Sequence, residues 1–358
     1  MFCIVFTGGG SAGHIIPNIA IMESLKYDSN WKIYYFGLNK TLDKYLISSL
    51  PFVSYHCVVS GKLRRYFSWK NFIDVIKVLF GIIQTFFKFK KMKVDVVFSK
   101  GGFVSFPVII AAWLNSIPVI LHESDITLGL SNRLSLPFVT SVCLSMDLKK
   151  KYLFLKNKKV FVTGVPIRSS IFRGLKSKGL SLCGFHDSIP CILIVGGSQG
   201  SLILNSIIRK SLHLFCINYQ IIHLCGSNNL DLSFFYRKNY FQIEFADEIF
   251  SDLLAASDIV ISRAGANIIY EILSLGKPNI LIPLSKNVSR GEQIDNAFYF
   301  KKKGVSIVLN ENTVTAESLL LWVNKLYAKR KDIKRRIKSL FVNSSVENIV
   351  NIIKNEIK

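Results

Sequence analysis

The sequence predicts an α/β protein built from two doubly wound parallel-sheet domains, and three features of its 358 residues predict it. Solidly apolar runs of strand length alternate with longer helix-like segments, as parallel strands covered on both faces require. The pattern restarts at Pro190, after a basic and weakly patterned stretch over residues 170–189. The chain is also too long for one ordinary core.

In the first half the strand-length runs are CIVF, KIYYFG, VDVVFS, IPVILH and KVFVTG. In the second they are CILIVGG, YQIIHLCG, SDIVISRAG, PNILIPL and GVSIVLN, with a hinge expected near Gly164–Arg168. From about Ala316 to Lys358 glycines and strand signals thin out, which predicts helix. The uncharged stretch GGFVSFPVIIAAWLNSIPVIL approaches the length of a membrane span. Pro107, Asn115, Ser116 and Pro118 divide it into loop, helix, turn and strand instead. The start, MFCIVFTGG, has no basic leader and an apolar run only of strand length, so no signal peptide is expected.

The formal charge of +23 attracts anions: phosphorylated ligands, nucleic acid or an acidic membrane surface. Seven cysteines without a C-x-x-C pair fit reduced, core-filling thiols better than disulfides or a metal site.

Four glycine-rich loops follow predicted strands, where open α/β sheets bind ligands. They are TGGGSAGH, SKGGFVSFP, VGGSQGSLILN and SRAGANIIYE. The first satisfies G-x-G-x-x-G through Gly8, Gly10 and Gly13, yet the second strand ends YYFGLNK without the acid that a nicotinamide ribose needs. The third and fourth loops belong together. Main-chain N–H groups and Ser198 at a helix N-terminus suit a diphosphate, and the Glu271 carboxylate suits the two hydroxyls of a ribose. A nucleoside diphosphate in the second domain is therefore expected. His14 reads either as a packing residue or as a general base, since a helix N-terminus disfavours the imidazolium. Nucleotide on one side and base on the other is the layout of a group transferase.

Taken together, FTGGGSAGHIIPNIA, SKGGFVSFPVIIAA, IPVILHESD, GVPIR, VGGSQGSLILN, ISRAGANIIYEIL and RGEQIDNA resemble the two-domain GT-B glycosyltransferases, and within them the MurG family. The motifs run in order over nearly the whole chain. The resemblance implies transfer of N-acetylglucosamine (GlcNAc) from UDP-GlcNAc to the 4-hydroxyl of the muramoyl sugar on undecaprenyl diphosphate, with inversion. It implies an acceptor-side, membrane-facing domain over residues 1–163, completed by a C-terminal helix over 341–358. Residues 164–340 would form the UDP-sugar domain. Ser11 and Gly13 would border the cleft, with His14 in the base region. Arg168, Ser198 and Gln293 match donor-contacting positions; Ala266, Asn267 and Glu271 match the segment holding ribose and diphosphate. Neither a cofactor nor a metal is implied, and no D-x-D pair occurs in the sequence.

Many members read HEQN where this chain has HESD, so Asp125 replaces an asparagine. Asp125 is read here as a carboxylate that orients or shares a proton with His14. Many members also carry glutamine where Glu292 stands, which leaves Gln293 as the safer contact.

Residues 61–93 hold nine basic residues against Asp74 alone. In the predicted helix one polar stripe, Lys70, Asp74, Lys77, Gly81, Gln84, Lys88 and Lys91, interrupts an otherwise apolar surface. The apolar arc is wider than docking on a sheet requires. Phe72, Ile76, Leu79, Ile83 and Phe86 are expected to enter a bilayer interface, with Lys88 and Lys91 on anionic lipid. A helix buried between domains or in a dimer is the other reading. The expected location is the cytoplasmic face of the bacterial membrane, peripherally. A synthase of another glycolipid and a basic non-catalytic adaptor stay open as alternatives, although no nucleic-acid module is recognisable and no nucleic-acid partner is expected.

Overall fold

The structure, a computed structural model, describes residues 1–39, 41–61, 69–147, 158–197, 200–286, 289–341 and 344–357. It divides into two compact units, Met1–Arg168 with Ser344–Lys358, and Ser169–Asn343.

The first unit runs β1 (Phe2–Thr7), α1 (Ala12–Leu25), β2 (Trp31–Gly37), α2 (Leu42–Ser48), β3 (Val53–Cys57), α3 (Lys70–Met92), β4 (Val96–Ser99), α4 (Ser105–Leu114), β5 (Val119–Glu123), α5 (Leu130–Ser135), β6 (Ser141–Leu144) and β7 (Lys159–Val162). The strands form one sheet in the order β3-β2-β1-β4-β5-β6-β7, every pair parallel. Residues Val96 to Ser99 and Val119 to Glu123 are all buried, which is why these strands read as unbroken apolar runs. The uncharged stretch noted above becomes α4, a turn and β5. Among the described residues no helix is long and apolar enough to cross a membrane.

The second unit runs α6 (Lys176–Cys183), β8 (Cys191–Val195), α7 (Leu202–Phe215), β9 (Gln220–Leu224), β10 (Tyr240–Ile243), α8 (Phe250–Ala256), β11 (Ile259–Ser262), α9 (Ala266–Ser274), β12 (Asn279–Leu281), α10 (Glu292–Lys302), β13 (Ile307–Val308), α11 (Ala316–Ala328) and α12 (Arg330–Leu340). Its parallel sheet has the order β10-β9-β8-β11-β12-β13. The last helix, α13 (Ser345–Glu356), belongs to the first unit, where Ile349, Ile352 and Ile353 pack in the core beneath α1.

Both sheets reverse strand order beside their first strand, between β1 and β4 and between β8 and β11. At such a switch point the chain leaves neighbouring strands toward opposite faces of the sheet, and ligands of open α/β sheets bind at the carboxyl ends of the strands there. All four glycine loops leave these four strands.

Candidate functional site

In the first unit the loops after β1 and β4 lie against each other. Gly102 has φ +88°, and a Cβ there would stand 2.4 Å from the Gly9 carbonyl oxygen, so only glycine fits. Ser11 is the exposed N-cap of α1, and Gly13 lies in its half-buried first turn. His14 follows, with Nδ1 3.1 Å from the Lys100 carbonyl oxygen. A carbonyl only accepts, so Nδ1 carries the proton and Nε2 carries the lone pair.

Lys100 directly follows β4 and is buried. Its ammonium donates to His122 Nδ1 at 2.8 Å and to Ser124 Oγ. His122 in turn donates from Nε2 to the Gly164 carbonyl at 2.9 Å. Burial first, and then the Lys100 charge, hold the His122 pKa well below the histidine range, so this imidazole is neutral. Glu123 accepts from the Asp125 N–H at 3.1 Å, the Gly129 N–H at 2.9 Å and Asn132 Nδ2 at 2.8 Å. Asp125 is half-buried on the loop after β5. Lys100 is thus common to both candidate bases: its carbonyl meets His14, and its ammonium lies in the field of Asp125. Arg168 closes the unit, half-buried.

In the second unit Gly200 has φ +73°, and a Cβ there would meet the Cys225 carbonyl oxygen at 2.0 Å. Ser201 caps α7, its Oγ accepting from the Leu204 N–H at 3.3 Å. Ser198 lies outside the described residues. After β11, Arg263 is buried and donates to Ser201 Oγ, to the Ile282 carbonyl at 3.0 Å and to Glu311 at 2.7 Å. Glu311 also accepts from the Ser285 N–H at 2.6 Å. One buried ion pair therefore ties together the loops following β8, β11, β12 and β13. Gln293 Oε1 accepts from the Ala264 and Leu284 N–H groups, each at 3.2 Å, so part of its role is to join two of these loops. Ala266 and Asn267 form the first turn of α9, whose N–H groups point out of the crevice-facing end. Glu271 sits farther along α9 and is buried.

Lys100, Arg263 and Glu311 escape a motif-based reading. Lys100 and Arg263 carry one local signal, a charge that follows an apolar strand directly before glycine, in SKGG, or one residue before it, in SRAG, and Glu311 carries none.

Helix α3 packs through part of its polar stripe together with the buried Val78 and Phe89. Gly81 and Gln84 of its polar stripe approach the segment after β3: a Cβ on Gly81 would meet the Val59 carbonyl oxygen at 1.9 Å, and Gln84 Oε1 accepts from the Val59 N–H. Asp74 and Thr85 are buried as well. Phe72, Ile73, Val75, Ile76, Leu79, Phe80, Ile83 and Phe87 are left exposed, and so is Lys91. Two expected members of the outer face turn inward. Phe86 packs on the core of the unit. The Lys88 ammonium donates to the Cys57 carbonyl at 3.2 Å and lies over the Phe36 ring, because it joins the stripe that faces the sheet. Lys62, Arg64 and Arg65 lie outside the described residues.

Residues 4–144 match the glycosyltransferase family 28 N-terminal domain, and residues 191–352 match the family's C-terminal domain. A Legionella pneumophila (strain Paris) protein is 51% identical over 353 residues, covering 99% of this chain and 96% of that protein. It is named UDP-N-acetylglucosamine--N-acetylmuramyl-(pentapeptide) pyrophosphoryl-undecaprenol N-acetylglucosamine transferase. The chain belongs to the MurG family. A Clostridium botulinum (strain Langeland) protein of the same name is 48% identical over 351 residues, 98% of each chain. The crystal structure of Acinetobacter baumannii MurG shares the fold at a TM-score of 0.77 and 20% identity, covering 99% of this chain and all of that one. Neisseria meningitidis UDP-GlcNAc 2-epimerase, solved with UDP-GlcNAc, shares it at 0.71 and 15% identity, with 99% and 100% covered. The two-domain parallel-sheet architecture is thus that of the MurG family.

Proposed function

We propose that the chain transfers GlcNAc from UDP-GlcNAc to the 4-hydroxyl of the muramoyl sugar of undecaprenyl-diphospho-muramoyl-pentapeptide, an inverting step that turns lipid I into lipid II. The observation that carries this reading is the pair of glycine-walled switch points in a chain that matches N-acetylglucosaminyltransferases over its full length.

The first unit takes the acceptor and the second the nucleotide. The acceptor oxygen bonds to the anomeric carbon as the bond from that carbon to the UDP oxygen breaks. Its proton passes to Nε2 of His14, whose tautomer the Lys100 carbonyl supports. Charge accumulating on departing UDP meets main-chain N–H groups at the starts of α7 and α9 and the Arg168 guanidinium. Glu271, Asn267, Ala266, Gln293 and Ser198 bind the donor, while Ser11 and Gly13 border the acceptor. Asp125 supports proton movement on the acceptor side.

The outer face of α3 seats the enzyme on the cytoplasmic face of the bacterial membrane. Contiguous exposed apolar side chains of this size mark an interaction site, and Lys77, Lys90 and Lys91 add attraction to anionic lipid. Nucleic acid is not a partner in this reading. Burial pushes the thiols of Cys3 up to about 11 and of Cys143 and Cys183 up to about 12, so they stay protonated and inert, in keeping with a reducing compartment.

The test is turnover of labelled UDP-GlcNAc with a soluble lipid I analogue. Wild type gives product, and His14→Ala loses on the order of 10²–10⁴-fold, the usual contribution of a general base. Wild type that binds UDP tightly and gives no product points to another acceptor. Undiminished turnover by His14→Ala removes the base from position 14.

A further inference from the structure

A lysine side chain buried at a strand end requires an explanation, because an ammonium out of water is costly unless its surroundings answer the charge. Lys100 is 2% exposed. Its two hydrogen-bond acceptors, His122 Nδ1 and Ser124 Oγ, are neutral, and neither offsets a full charge. The groups that do so are the carboxylates of Glu123 and Asp125, both of which favour its protonated form.

Each side chain that faces Lys100 has a fixed role. His122, on β5, cannot take a proton, since its Nε2–H is committed to the Gly164 carbonyl and its Nδ1 accepts from Lys100. Glu123, also on β5, is spent on the N–H groups of Asp125 and Gly129 and on Asn132. The Cys143 thiol, on β6, is kept protonated by burial. His14, from α1, bonds through Nδ1 to the Lys100 main-chain carbonyl. Asp125, on the loop after β5, is the further charged group in the field of the ammonium.

We propose that Lys100 is a positioning residue, the internal counter-ion that lets a carboxylate function at position 125 and that fixes the loop after β5 beneath the acceptor. The inference rests on the reading that the first unit holds the acceptor. It accounts for an aspartate at a half-buried position beside Glu123, where two adjacent carboxylates would otherwise repel. Burial lowers the Lys100 pKa to about 8 against the opposing pull of Glu123 and Asp125. Raising the pH through that value discharges the counter-ion beside Glu123 and Asp125, so acceptor turnover should decline there.

The experiment compares wild type, Lys100→Met, Lys100→Arg, Asp125→Asn and the double variant Lys100→Met/Asp125→Asn, with the soluble acceptor analogue, from neutral to alkaline pH. Lys100→Met should lower kcat/KM for the acceptor by about tenfold or more and leave KM for UDP-GlcNAc unchanged. The loss should shrink by about tenfold when Asp125→Asn is already present, because the neutral pair needs no counter-ion. Wild type should lose activity above about pH 8. Lys100→Arg, which stays charged, should move that limb upward. Additive losses in the cycle, or the same alkaline limb in Lys100→Arg as in wild type, overturn the inference. Should Lys100→Met fail to fold, the arginine variant alone decides it through the limb. Absence of product from wild type would instead overturn the reading of the acceptor, and the two failures are separable.

Discussion

Substituting Ile76→Gln and Ile83→Gln together tests whether the outer face of α3 binds membrane. Both side chains point outward from the polar stripe that packs on the segment after β3, and they are 66% and 55% exposed. Complete burial of an isoleucine side chain contributes about 1.5–3 kcal/mol. Scaled by the exposed share, each contributes about 1–2 kcal/mol on entering a bilayer interface, and the pair about 2–4 kcal/mol. At about 1.4 kcal/mol per tenfold, the double variant should bind anionic vesicles roughly 30- to 700-fold more weakly. Glutamine changes no charge, so the lysine contribution is untouched and salt sensitivity should persist in the residual binding. The assay is flotation with phosphatidylglycerol vesicles over a range of lipid concentrations. Exposed substitutions of this kind change stability by about 0.5 kcal/mol at most, so an unchanged melting temperature controls for folding. Equal flotation of the double variant and wild type would refute insertion of this face. No flotation of wild type at low salt would remove the membrane surface as a partner altogether.

Three further outcomes follow from the packing. Arg263→Met leaves the buried Glu311 carboxylate without its 2.7 Å partner, which should cost about 3–5 kcal/mol in urea denaturation, while Arg263→Met/Glu311→Met should recover part of it. Gly102→Ala puts a methyl group 2.4 Å from the Gly9 carbonyl oxygen at φ +88°, so it should lower acceptor turnover severely while leaving equilibrium UDP binding within about twofold, because the second unit is untouched. Lys277 donates to the Ala255 and Ser257 carbonyls, and burial lowers its pKa from 10.5 to about 8. The unfolded chain therefore binds the extra proton between these values, and stability rises with pH across that window, by about 3 kcal/mol at most. Comparing urea midpoints of wild type and Lys277→Met over the same pH range should isolate that slope; parallel curves would show that Lys277 does not carry it.

The sheets were legible because parallel strands buried on both faces leave unbroken apolar runs, such as CILIV becoming β8. The positions of the glycine loops were legible for the same reason, since glycine must stand where backbones touch, as Gly102 does with Gly9. Helix α3 was only half legible. Its periodicity separates a polar stripe from an apolar arc, but periodicity does not say which side faces the sheet. The usual rule would bury the arc. Here Gly81 admits the Val59 carbonyl and Gln84 meets the same residue's N–H, so the middle of the stripe goes inward and takes Lys88 with it, while Lys77 and Lys91 stay exposed. The ties among loops were not legible at all. Arg263 and Glu311 lie 48 positions apart, and nothing local in NENT marks Glu311 as the partner of SRAG.

That difference has a physical basis that bears on how the site works. Glycines record contacts between backbones, which any chain with these loops must make. Buried charges record which loops have to keep a fixed spacing once a ligand arrives. In the second unit a single guanidinium spans the ends of four strands; in the first, an ammonium holds β5 while its own carbonyl orients His14. Both cations sit at the end of the strand that flanks the switch point, β11 and β4. Each is fully desolvated, so its bonds are directional and expensive to break. Crevices opened by strand topology alone would be free to widen. Anchored to these two residues, the loops within each unit keep the fixed spacing among themselves that ligand positioning requires.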